Sequence, residues 1–174
     1  TEQLALGLAL AVQRGEVIVS NGAAADLAQI LNLPREAVGT VYNPVLRPEL
    51  TQRAAESIDD PWLNDRSTPL IVTAGRLAPE KGIYQFIDNA YDVSRFPRFL
   101  IYGDGKEKAK IQDLIHKKNF DKNIRLMGFV SHVEMARAIN SVDAVVLPSI
   151  CHENCPLVIC DALKLGKEVV SSSF

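Results

Sequence analysis

At 174 residues the chain is long enough for one substantial hydrophobic core and a little more, and too short for a large multidomain assembly. Its composition, 47% hydrophobic and 23% charged with 10 glycines and 9 prolines, excludes the disordered and low-complexity classes. A net charge of −2, from 19 basic and 21 acidic residues, leaves no electrostatic footprint for a phosphate backbone, so no nucleic-acid partner is expected. Three cysteines are too few, and too odd a number, for a disulfide framework and point to a reducing compartment.

The apolar run from Leu4 to Val12, bounded by Glu2 and by Gln13 and Arg14, falls well short of the roughly 20 residues a membrane span needs. It reads as a buried helix, and no transmembrane segment is expected. The chain opens on Thr1 and closes on the apolar Phe174 directly after a strand pattern, and both ends are read as cut. Val17 to Ser20 reads as a short strand. Asn21 then caps a helix from about Gly22 to Asn32, with Leu27, Ile30 and Leu31 on one face. Val38 to Tyr42 is a second strand. The stretch holding Pro44, Pro48, Asp59, Asp60 and Pro61 allows no regular element beyond a short helix near Glu49 to Glu56, and reads as a linker.

From Leu70 the alternation is regular. Strands are expected at Leu70–Ala74, Arg98–Tyr102, Ile124–Met127, Ala144–Leu147 and Glu168–Ser171. Between them the pattern places helices at about Ile83–Ser94, Lys106–Lys118, His132–Asn140 and Pro156–Leu165. The strands are continuous apolar runs, as parallel strands covered by helices on both faces require. The expected fold is therefore α/β, a Rossmann-like doubly wound parallel sheet.

Ligands of such sheets bind beyond the carboxyl ends of the strands, and three of the loops there are chemically loaded. Gly75-Arg76-Leu77-Ala78-Pro79-Glu80-Lys81-Gly82 combines a glycine for close backbone approach with a guanidinium and an ammonium before a helix, an anion site in outline. The order of a P-loop is absent, and two solvated cations neutralised by Glu80 remain the alternative. Tyr102-Gly103-Asp104-Gly105 lacks the third glycine of a dinucleotide fingerprint and reads as a tight turn whose aspartate caps the following helix.

The third loop, Pro148 to Pro156, opens a helix PLVICDALKLG in which Pro156 fits the first turn. Glu153 stands just outside that helix and Asp161 lies eight residues on, about one and a half turns in. Two carboxylates so spaced suit a polyhydroxylated molecule. A helix with an acidic region complementing its dipole is the alternative. Cys151, Cys155, Cys160 and His152 share the segment, yet their spacing matches no common zinc set, and the thiols read as small buried hydrophobes. His116 and His132 lie on polar helical stretches and read as surface residues.

Taken together, TAGRLAPEKG, LIYGDG, NIRLMGFV and VVLPS...HENCPLVICDALKLGKEVVSS, each after an apolar strand, resemble the carboxyl-terminal domain of retaining GT-B glycosyltransferases of the group 1 type. VIVSNGAAADLAQILNLP...VGTVYNPV looks like the last elements of that family's amino-terminal domain and its crossover. The resemblance runs from about Glu16 to Ser172, and four motifs in register are more specific than any one.

By this resemblance residues 1–43 are trailing elements of the amino-terminal domain, 44–68 the crossover, and 69–174 a donor nucleotide-sugar-binding domain cut at its carboxyl end. Arg76 and Lys81 match the pair that grips the donor diphosphate and stabilises its growing charge. Gly75 gives the close backbone approach and Val130 matches a position beside the nucleobase. Glu153 matches the first glutamate of the family's paired motif, near the transferred sugar, with main-chain N–H groups of Asn154, Cys155 and Leu157. Asp161 matches the second glutamate, at the ribose.

The implied activity is transfer of a hexosyl unit from a nucleoside-diphosphate sugar with retention, without cofactor or catalytic metal. The acceptor, a glycan, a lipid-linked molecule or another, is met by the amino-terminal domain, so this chain alone is expected to lack turnover. The implied location is cytoplasmic, peripheral to the membrane if the acceptor is lipid-linked. Two departures stand out: Asp161 is one methylene shorter than the usual glutamate, and Glu168 replaces a usual proline. They motivate the rival reading of a non-catalytic binding or assembly module.

Overall fold

The computed structural model describes residues 18–42, 49–65, 67–90 and 97–172. The buried helix expected at Leu4–Val12 lies outside these, as do Val17 of the first expected strand and the later part of the helix expected to reach Ser94. Two compact units are distinguished: Thr1–Leu46 with Glu153–Pro156, and Arg47–His152 with Leu157–Phe174.

The described part of the first unit contains helix α1 (Asn21–Ile30) and a short 3-10 turn at Arg35–Ala37. Ser20, not Asn21, caps α1, its hydroxyl accepting from the Ala23 N–H at 3.2 Å. Asn21 is instead the first helical residue, and its Oδ1 accepts from Arg35. Ala24, Leu27, Ala28 and Val38 form a small core. The two strands expected here reduce, among the described residues, to one parallel bridge between Ile18 and Thr40. The Arg35 guanidinium bonds the Val38 carbonyl and the Thr40 hydroxyl, and Ser20 serves the helix cap, so these groups are engaged outside any ladder.

The second unit opens with two short helices, α2 (Leu50–Ala54) and α3 (Pro61–Asn64). The second contradicts the reading of Asp60-Pro61 as breakers. Asp60 accepts from the Trp62 and Leu63 amides, and Pro61 takes the first helical position, where no N–H is required. Then come β1 (Leu70–Ala74), a 3-10 turn (Pro79–Lys81), α4 (Ile83–Asp88), β2 (Arg98–Tyr102), α5 (Lys108–Lys117), β3 (Ile124–Gly128), α6 (His132–Asn140), β4 (Ala144–Leu147), α7 (Leu157–Lys164) and β5 (Glu168–Ser171).

The five strands form one parallel sheet in the order β3-β2-β1-β4-β5, so the chain winds outward from β1 in one direction and then in the other. Side chains alternate across it. Leu70, Val72, Leu100 and Tyr102 pack with Leu63, Ile139 and Ala162, contributed by α3, α6 and α7, while Phe99 and Ile101 pack with Ile83, Ile87, Ile111 and Ile115 of α4 and α5. Both faces of the inner strands are thus covered, which is why β1, β2 and β4 are dominated by apolar residues. Glu168 is accommodated in strand geometry, paired in register with Ala144.

Tyr102, at the end of β2, is buried, and burial first, with Asp60 and Glu134 adding, pushes its phenol from 10.0 up to about 12. Below the unfolded value the phenol is neutral in both states. Between the two values the unfolded chain ionises first, so stability is lost as pH rises through this window. Unfolding measured near pH 8 and near pH 11.5 is expected to show wild type losing about 2 kcal/mol more than Tyr102→Phe across that interval. Equal losses would contradict the assignment.

Candidate functional site

The site lies where theory places it, at the carboxyl ends of β1, β2 and β3. After β1 the chain turns at Gly75 and is pinned from one side by the loop after β2. Gly75 N–H donates to Tyr102, Leu77 N–H to Asp104, and Glu107 N–H to Leu77, all carbonyls, at 3.1, 2.9 and 3.0 Å. The approach is so close that a Cβ on Gly103 (φ +126°) would stand 1.9 Å from the Gly75 carbonyl oxygen. Here is a packing reason for the glycine that needs no dinucleotide. The other side is pinned by the segment after β4: Ile150 N–H donates to the Glu80 carbonyl, and a Cβ on Gly82 (φ +65°) would meet the Pro148 oxygen at 1.9 Å.

Asp104 does not cap a helix as expected. Its Oδ1 accepts from the Gly105 N–H at 2.7 Å and its Oδ2 from Lys108 Nζ at 3.0 Å, because α5 starts only at Lys108 with Glu107 before it. Those two bonds hold the Asp104 carboxyl below the usual carboxylate range, the Lys108 hydrogen bond first.

Between these loops lies a cavity of about 510 Å³, lined by Ala74, Gly75, Arg76, Tyr102, Gly103, Asp104, Phe129, Val130, His132 and Met135. One wall is glycine backbone and a guanidinium; the other is apolar, with Phe129, Val130 and Met135. Arg76 is mostly exposed, at 71% for its side chain, and pairs with Glu80 at 2.9 Å. Glu80's carboxyl is held below its usual value, first by its own backbone N–H and further by Arg76. Such an exposed pair is worth little, so it leaves Arg76 available to an anion.

Of the residues expected from sequence, Gly75, Arg76 and Val130 line this cavity, while Lys81, Asp161 and Leu157 do not. Lys81 ends the 3-10 turn of the same loop and is half-buried. Leu157 begins α7 and is exposed, with Pro156 standing just before the helix instead of inside its first turn. Glu153, Asn154 and Cys155 fall in the first unit; Glu153 and Cys155 are half-buried and Asn154 exposed. The three cysteines are only half-buried, not the buried hydrophobes expected.

His116 is exposed and pairs with Asp121, as a surface histidine should. His132 is half-buried, about one-third exposed, and more than a surface residue because it lines the cavity. It is the first residue of α6, set by a capping box in which Ser131 and Glu134 exchange side-chain and backbone bonds, and its Nε2 meets Asp161 Oδ2 at 2.9 Å. The signal was present in Ser131-His132-Val133-Glu134, which fixes His132 at the helix start beside the loop after β3. Among the described residues no three His, Cys, Asp or Glu side chains gather as a cation-binding set, and no helix is long and apolar enough to cross a membrane.

The family described as glycosyl transferases group 1 matches residues 68–174. An α-D-kanosaminyltransferase of Streptomyces kanamyceticus is 31% identical over 122 residues, covering 68% of this chain and 31% of that protein. A 2-deoxystreptamine N-acetyl-D-glucosaminyltransferase of Niallia circulans is 26% identical over 127 residues, covering 68% of this chain and 32% of the relative. The chain thus spans about a third of the length of these relatives.

Among solved structures, Anabaena HepE in complex with UDP and glucose superimposes with a TM-score of 0.71 at 19% identity, over 96% of this chain and 48% of that one. Staphylococcus aureus TarM, in a complex containing UDP, gives 0.69 at 20% identity, over 90% and 29%. These likenesses establish the GT-B fold of the glycosyltransferase neighbours. With its matched domain carrying the parallel sheet and the strand-end cavity, the chain belongs to the group 1 glycosyltransferases.

Proposed function

We propose that the cavity beyond β1, β2 and β3 takes the nucleotide of a nucleoside-diphosphate sugar, whose glycosyl unit is transferred to an acceptor with retention of configuration. The observation that carries this reading is the cavity wall itself, in which Gly75, Arg76 and Val130 come together at the strand ends of a group 1 domain. Arg76 supplies a planar fork for phosphate oxygens, and Lys81 on the same pinned loop adds a point charge. The charge that grows on the leaving diphosphate is what these cations favour more in the transition state than in the ground state.

Glu153, with main-chain groups of Asn154, Cys155 and Leu157, serves the transferred sugar in this reading, and Asp161 the ribose side through His132, which lines the cavity and bonds its carboxylate. UDP in the HepE and TarM complexes supports a nucleotide donor. The transferred unit is a hexose, no cofactor or catalytic metal takes part, and the acceptor is a glycan, a lipid-linked molecule or another, met by the amino-terminal part of a two-domain protein. The location is cytoplasmic, at the membrane surface where the acceptor is lipid-linked. Residues 1–43, 44–68 and 69–174 correspond to trailing amino-terminal elements, crossover and donor domain.

Calorimetric titration with UDP, GDP and ADP tests the proposal. Saturable one-to-one binding of at least one of them is expected, and the preferred one names the donor's base. Absence of saturable binding for all three would remove the proposal.

A further inference from the structure

The cavity contains one side chain whose own hydrogen-bonding capacity the donor reading leaves unassigned. Arg76 is paired with Glu80, and both Asp104 oxygens are engaged by Gly105 N–H and Lys108 Nζ. His132, by contrast, commits one ring nitrogen only: Nε2 bonds Asp161 Oδ2 at 2.9 Å, and among the described residues no protein group bonds Nδ1. The imidazole is about one-third exposed, at 34%, whereas the Asp161 side chain is 7% exposed and does not line the cavity. A ligand therefore meets the imidazole, with the carboxylate behind it.

A buried carboxylate at that distance from Nε2 favours the tautomer carrying the proton on Nε2, which leaves Nδ1 as a hydrogen-bond acceptor. It also fixes the ring's orientation, much as second partners fix histidine ligands elsewhere. Together with the Asp104 carboxylate, glycine backbone, a guanidinium and apolar surface, this neutral acceptor suits a ligand hydroxyl. We infer that His132, oriented by the buried Asp161, is a specificity-determining residue that accepts a hydrogen bond from a sugar hydroxyl of the bound donor, and that Asp161 is its positioning residue. The histidine thereby extends the reach of a carboxylate one methylene short. This rests on the donor reading of the cavity, and the hydroxyl belongs either to the ribose or to the transferred sugar.

Affinity ratios in the protein separate these. UDP against 2′,3′-dideoxy-UDP reads the ribose, and UDP-glucose against UDP reads the transferred sugar. Wild type is expected to favour the hydroxyl-bearing member of one pair by about tenfold. His132→Leu should bring that ratio close to one with the dideoxy or sugar-free member bound as before. His132→Gln, which keeps a donor for Asp161 and an acceptor for the ligand, should retain most of the preference and carries the test if the leucine variant does not fold. Asp161→Asn should lower the ratio at unchanged melting temperature, an effect that a packing role would not produce. Persistence of the ratio in a folded His132→Leu protein, or ratios of one for both pairs in wild type that binds UDP, overturns the inference alone. Failure of wild type to bind UDP, GDP or ADP overturns the donor reading and this inference with it.

Discussion

Replacing both Arg76 and Lys81 by alanine is expected to weaken nucleoside-diphosphate binding by a factor on the order of 10²–10⁴, with the melting temperature essentially unchanged. The two halves of this expectation come from different parts of the loop. Its shape is held by backbone bonds to Tyr102 and Asp104 on one side and by the Glu80–Ile150 bond on the other. Arg76 projects from that frame with a mostly exposed side chain, and its pairing with Glu80 contributes little to stability. Truncating Arg76 therefore removes a ligand contact at the cost of one exposed ion pair. Arg76→Ala alone should carry the larger share, since Arg76 lines the cavity and Lys81 does not. Arg76→Lys should restore only part, a point charge being a poor substitute for a planar fork. Unchanged affinity in the double variant would return these residues to the reading of solvated surface cations.

Arg98→Ala is expected to destabilise the protein by roughly 3 kcal/mol, lowering the melting temperature by roughly 6–12 °C. Arg98 opens β2 at the centre of the sheet and its side chain is only 10% exposed. Its guanidinium donates to the carbonyls of Trp62, Asp65 and Thr68 and pairs with the Asp65 carboxylate at 3.2 Å. One side chain thereby ties the chain leaving α3 to the first turn of the sheet. Asp65 is half exposed, so the ion pair is a minor part; the larger cost is three carbonyls left without their donor. Arg98→Lys, with fewer donors and no fork, should recover less than half. A loss below about 1 kcal/mol in urea unfolding would show that water replaces the guanidinium freely.

Arg98 also shows what the amino-acid sequence conveys and what it conceals. β1, β2, β4 and β5 have the bounds predicted for them and β3 extends one residue further; in β1, β2 and β4 it is burial on both faces that leaves a local compositional signature. Whether a charged residue at a strand's first position is solvated or buried among carbonyls thirty residues upstream has no such signature. Asp60-Pro61 illustrates the same limit, since a cap followed by proline at the first helical position and a chain break use the same residues.

Gly75 and Arg76, which line the cavity, were legible because strand-end loops are where a doubly wound sheet binds ligands, whereas Val130 followed only from the family resemblance. His132 was not legible. The capping box sets it at the start of α6, but only the packing of α6 against α7 reveals Asp161 beside it, twenty-nine residues along the chain. The glycines of the β2 loop read as a tight turn, and their packing reason, the Gly75 and Leu77 carbonyls that a Cβ on Gly103 or Gly105 would meet at 1.9 and 2.3 Å, is one that no motif spells out.

The central claim is that nucleotide occupies the cavity beyond β1, β2 and β3, and amide chemical-shift mapping of the isotopically labelled protein during titration with the preferred nucleoside diphosphate tests it most directly. The account predicts the largest perturbations at Gly75, Arg76, Gly103, Val130 and His132, with little change at the groove formed by Gln85, Asn89 and Val170. Perturbations centred on that groove, or on the outer surface of α5, would contradict it.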